Sequence, residues 1–110
     1  MAFENTTPEA FDEQVIDTAG TTLVAFFATY CPYCSAFMPQ FRETEPGPGV
    51  TLREAIVDED ENPLWDRFGI EAVPTIIAFR DGEIIGRRDA ARGVGLNKSD
   101  LDALLAEITN

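Results

Sequence analysis

A nearly unbroken apolar run, Thr22 to Thr29 (TLVAFFAT), passes straight into Tyr30-Cys31-Pro32-Tyr33-Cys34, and helical spacing follows at once, with apolar residues at 37, 38 and 41. A strand without polar alternation has to be covered on both faces, so this run belongs at the centre of a sheet with layers above and below it. Cys31 then falls at the junction of a central strand and the next helix. At 110 residues and 45% hydrophobic content the chain supplies one packed core, and a single domain over residues 1–110 is expected.

The remaining segments fill the layers. A short edge strand is read at Ala2–Asn5. Thr7-Pro8-Glu9 then offers an N-cap, a proline at the first helical position and an acidic first turn, and Phe11, Val15 and Ile16 give this first helix an apolar face before Ala19-Gly20 ends it. Pro39 predicts a kink in the helix after the cysteines, and Pro46-Gly47-Pro48-Gly49 a turn. Val50 to Asp58 reads as a second core strand, Asp58 to Glu61 as a hydrated loop, and Pro63 to Phe68 as a short helix capped by Gly69. Asp81-Gly82 between Thr75–Phe79 and Glu83–Arg88 is a strong hairpin signal, so the last two strands are antiparallel. Leu101, Leu104, Leu105 and Ile108 form the apolar stripe of a final helix. The order is βαβαβαββα, an α/β fold with a central mixed sheet flanked by helices.

Charge narrows the partners. Twenty acidic residues against eight basic ones leave a net charge of -12, which repels nucleic acid and anionic membranes. The basic residues are seven arginines and one lysine, Lys98. An acidic, lysine-poor chain with an ordinary core resembles the proteomes of salt-in halophiles, where concentrated salt screens dense carboxylates. Histidine is absent from the sequence, which removes imidazole-based triads and His-ligated zinc. The first basic residue is Arg42, so no basic segment opens a secretory signal, and the apolar run Leu23–Ala28 is far short of the roughly 20 residues that span a bilayer. A cytoplasmic, monomeric protein is expected.

Two cysteines remain to carry chemistry. At a helix N-terminus, free amides and the helix dipole stabilise a thiolate, which makes Cys31 the nucleophile. Cys34 lies one turn deeper on the same side and can attack a mixed disulfide formed at Cys31. A buried inert pair or half of a metal site are the other readings of Cys-X-X-Cys; the flanking strand and helix favour redox chemistry.

With LVAFFATYCPYC at 23–34, Pro39 in the next helix, Asp58 after a strand, FGIEAVPT at 68–75 and FRDGEIIGR at 79–87, nearly the whole chain resembles the thioredoxin family. The resemblance implies the thioredoxin fold and a dithiol–disulfide cycle at Cys31 and Cys34 that reduces, or under other poise oxidises, disulfide-containing proteins. A thioredoxin-reductase-like donor would recharge the pair and no bound cofactor or metal would be needed. It also implies that Pro74 is cis and faces Cys31, that Val73-Pro74-Thr75 is a peptide-docking loop, and that Tyr30, Pro32, Tyr33, Ala90 and Ala91 complete the substrate surface.

Three positions depart from that family. Ala25 stands where a buried aspartate usually serves as proton acceptor for the second cysteine, and Glu54 aligns, within about one residue, with the lysine that commonly neighbours it. Glu54 is therefore a candidate acid–base group, its pKa raised by burial near the disulfide, against the alternative of a solvent-facing strand carboxylate. The dipeptide Pro32-Tyr33 is that of glutaredoxins, which by analogy places the potential roughly at -200 to -230 mV. The Gly-Gly and acidic pair with which glutaredoxins hold glutathione is replaced by Asp89-Ala90-Ala91-Arg92-Gly93. Two rival functions are a glutaredoxin-like monothiol reductase using Cys31 alone, and a dimeric iron–sulfur cluster carrier bridged by Cys31 of two chains.

Overall fold

The computed structural model describes residues 5–91 and 93–109. Its four-stranded sheet runs β2-β1-β3-β4, formed by β1 (Thr21–Phe27), β2 (Val50–Ile56), β3 (Thr75–Arg80) and β4 (Glu83–Asp89). Every residue of β1 is buried, as an apolar run with no alternation requires. It pairs parallel with β2 and antiparallel with β3, and β3 pairs antiparallel with β4, so the sheet is mixed. The helices are α1 (Pro32–Glu43), α2 (Leu64–Arg67) and α3 (Lys98–Thr109).

Alternate residues of β1 feed two cores. Leu23, Ala25 and Phe27 pack with Cys34, Phe37, Met38 and Phe41 of α1 and with the Leu101, Leu104, Leu105 and Ile108 stripe of α3. Val24 and Phe26 pack on the opposite face with Phe11, Val15, Leu64, Ile70, Ile77 and Phe79. Phe11 is the hub there, its ring centroid 5.9 Å from Phe26, 5.1 Å from Phe68 and 5.7 Å from Phe79. The hairpin turn is as the sequence demands: Asp81 and Gly82 both have positive φ, 51° and 87°, the pattern of a type I′ turn.

Several boundaries differ from expectation. The edge strand at Ala2–Asn5 falls outside the described residues except for Asn5, which bridges to Glu54 and accepts the Ile56 amide through Oδ1 at 2.7 Å. The first helix is a π-helical turn, Asp12–Ile16, closed by Asp17 N–H to Asp12 C=O at 2.7 Å. β1 stops at Phe27 and β2 at Ile56 rather than at Thr29 and Asp58: one further backbone bond, Val57 N–H to Phe27 C=O at 2.8 Å, follows, and beyond it the Thr29 amide turns to the Asp58 side chain. Pro39 lies inside α1, as the sequence predicts. On β4 both arginine heads are tied down: Arg87 forks onto Asp89 and Arg88 pairs with Glu107. Among the described residues no helix is long and apolar enough to cross a membrane.

Candidate active site

Cys31 is the N-cap of α1. Its backbone is extended (φ -88°, ψ 121°), Pro32 follows inside the first turn, and its carbonyl already accepts the Ser35 amide at 3.0 Å. The sulfur takes the role that a serine or aspartate oxygen plays at most N-caps: Cys31 Sγ accepts the amide of Cys34 at 3.2 Å. Negative charge arising on this sulfur therefore meets a donor already in place. Both thiols are free, and their exposure is unequal, 8% for Cys31 and 1% for Cys34.

The loop before β3 closes over the first sulfur. The Val73–Pro74 peptide is cis, and the Cys31 thiol donates to the Val73 carbonyl at 3.5 Å. Pro74 is buried, and its carbonyl accepts the Ala90 amide at 3.1 Å. Thr75, fully buried, donates its hydroxyl to Ala72 C=O at 2.7 Å. Thr75 and Ala90 thus hold the loop, whereas Tyr30, Pro32, Tyr33 and Ala91 stand exposed around the cysteine. Gly95, bridged to Ala91, sits against Tyr33: it has φ +78° and a Cβ there would lie 2.9 Å from Cβ of Tyr33. Only glycine permits this seat for the tyrosine.

Cys34 opens in a different direction, onto a hollow of about 330 Å³ lined in part by Thr29, Ser35, Met38 and Arg42. Burial is the main reason its thiol is pushed up to about 12 from 9.0; the hydrogen bond with Cys31 and the negative charges of Cys31 and Asp58 add to it, and the Ala28 backbone opposes them. The folded chain holds this proton more tightly than an unfolded chain does, so the thiol favours the fold at any pH below 9.0 and loses that advantage as pH climbs towards about 12. The reduced protein should therefore lose stability relative to the disulfide form across that window. Urea midpoints of both forms at about pH 8 and about pH 11 check it, and equal losses in the two forms would contradict it.

The strand register sets Glu54 of β2 directly beside Ala25. Glu54 is only 4% exposed, which removes the solvent-facing alternative, and both its oxygens are gripped by Arg42, Nε to Oε2 at 2.7 Å and Nη2 to Oε1 at 2.9 Å. The hydrogen bonds that it donates to this carboxylate hold the Arg42 guanidinium more firmly protonated, against the smaller effect of burial. The candidate acid–base group is thus committed to a two-pronged ion pair at the rim of the hollow. Asp58, read as the start of a hydrated loop, is instead anchored: Oδ1 accepts the Thr29 amide and Oδ2 the Thr29 hydroxyl, each at 2.6 Å.

Arg42, the Asp58–Thr29 link and Gly95 were not singled out from sequence. Arg42 was findable, since 34, 38 and 42 share one face of a helix. The other two depend on which loops meet.

Disulfide exchange asks little more than the first turn of α1 supplies: a reachable sulfur to attack, and a second, one turn on, to displace the product. The chain is accordingly a thiol–disulfide oxidoreductase. The thioredoxin family profile matches residues 2–107, and a Mycolicibacterium smegmatis thioredoxin is 34% identical over 79% of this chain and 80% of its own length. A thioredoxin of Allochromatium vinosum is 30% identical over 90% of both chains. The chain belongs to the thioredoxin family. Its fold also superposes on the crystal structure of Malassezia sympodialis thioredoxin with a TM-score of 0.73, at 23% identity, covering 97% of this chain and 94% of that one.

Proposed function

We propose that this protein is a cytoplasmic, monomeric reductase of protein disulfides, with no bound cofactor, recharged by a thioredoxin-reductase-like donor. The observation that carries the reading is the asymmetry of the two sulfurs: Cys31, capped by the Cys34 amide and facing Val73, is the more exposed, and Cys34, only 1% exposed, lies one helical turn on, beside Cys31. In the cycle the Cys31 thiolate attacks one sulfur of the partner's disulfide, forming a mixed disulfide and expelling the other sulfur as a thiolate. Cys34 then loses its proton and attacks Cys31 Sγ, forming the Cys31–Cys34 bond and releasing the partner's second sulfur. Two electrons pass to the partner, and the donor restores the dithiol. Tyr30, Tyr33, Val73 and Ala91 form the surface on which an extended peptide lies.

Insulin reduction with dithiothreitol as donor tests this, alongside a redox titration of the pair. Turnover without glutathione is expected, with a potential roughly between -200 and -230 mV set by Pro32-Tyr33. Failure to reduce insulin together with fast reduction of small mixed disulfides would overturn the reading in favour of a monothiol role.

The charge of -12 and the single lysine support adaptation to concentrated salt. The melting temperature should rise as KCl goes from millimolar to molar; a flat or falling trend would remove that part of the proposal.

A further inference from the structure

We propose that Asp58, acting through the Thr29 hydroxyl, is the proton acceptor for Cys34 in the resolving step. This rests on the dithiol cycle above and supplies the group that Ala25 lacks.

A buried thiol that has to become a nucleophile needs somewhere to send its proton. Ala25 offers nothing, and the carboxylate beside it, Glu54, has both oxygens engaged by Arg42. On the other side of the hollow the position is reversed. Thr29 and Cys34 line the same space, and the Thr29 hydroxyl donates to Asp58 Oδ2 at 2.6 Å. Its own lone pairs remain to accept a proton arriving through the solvent-open hollow, while the Thr29 amide, donating to Asp58 Oδ1, fixes the carboxylate in register. The negative charge of Asp58 also adds, as the smallest of the influences, to the upward push on the Cys34 thiol.

The step balances. The Cys34 proton passes through water to Thr29 Oγ1 as the Thr29 proton passes to Asp58 Oδ2. The Cys34 electron pair forms the bond to Cys31 Sγ, and the Cys31–partner bond breaks with its pair leaving on the partner's sulfur. Asp58 then returns its proton to solvent. The charged groups around the relay are Cys31 next to Cys34, the Arg42–Glu54 pair across the hollow, and Glu9, Glu59 and Glu61, which share with Asp58 a depression on its outer side.

Mixing reduced protein with the aromatic disulfide 5,5′-dithiobis(2-nitrobenzoate) separates the stages. The first thionitrobenzoate released reports attack by Cys31 and the second reports displacement by Cys34. Asp58→Asn and Thr29→Val should slow the second release roughly tenfold or more near neutral pH and leave the first at the parent rate. Their second release should climb steadily with hydroxide where the parent's is level. Thr29→Ser should restore the parent profile, and Glu54→Gln should not alter it. An unchanged second release in Asp58→Asn, equal slowing of both releases, or loss of the level region in Glu54→Gln instead would each overturn the proposal. Absence of the first release in the parent protein would instead overturn the dithiol reading beneath it.

Discussion

Cys31→Ser should abolish insulin reduction, lowering turnover on the order of a thousandfold or more, because no other group can form the mixed disulfide. Cys34 cannot stand in for it: that sulfur is 1% exposed and its thiol is pushed up to about 12. Cys34→Ser should fail in another way. Cys31 keeps its place at the N-cap and still attacks, but the product stays attached, so the variant should accumulate a mixed disulfide with its partner, visible as a mass increase that dithiothreitol reverses. Sustained insulin turnover by Cys34→Ser would show that an external thiol resolves the intermediate, as in a monothiol enzyme.

The second large effect is one of stability. Phe11 is fully buried and its ring meets Phe26, Phe68 and Phe79. Arg67 lies over the same ring at 5.4 Å. Truncating Phe11 to alanine should cost about 3–5 kcal/mol, from lost transfer energy plus the void left among three rigid rings that cannot collapse into it. Set against a total of about 5–15 kcal/mol for an ordinary domain, that brings the variant close to unfolding. Urea denaturation followed by circular dichroism measures it, and a loss below about 1 kcal/mol would mean the rings repack.

What could be read from the sequence follows how local its cause was. β1 was legible because burial on both faces leaves an unbroken apolar run, and the Asp81–Gly82 turn because its backbone demands those residues. The same holds for Cys31 at the N-cap, where chain order alone puts a thiol at a helix start. The first helix is shorter than its periodicity implies: Phe11, Val15 and Ile16 have helical spacing, but only Asp12–Ile16 forms a helical turn, while Phe11 packs into an aromatic cluster built from β1, β3 and the α2 region. The partners of Glu54 and Asp58 were illegible for a related reason. Whether a strand carboxylate faces water or an arginine depends on the register of β2 against β1 and on the reach of α1, and neither is written in the local pattern.

The two sulfurs look out through separate openings, Cys31 past Val73 and Cys34 into the hollow bounded by Thr29 and Arg42. In the proposed cycle a partner docked on the tyrosines covers the first doorway and leaves the second ajar. Electron traffic and proton traffic would then be routed through different walls of the domain, so that a client protein seals the exchange from solvent without trapping the proton that its own release sets free.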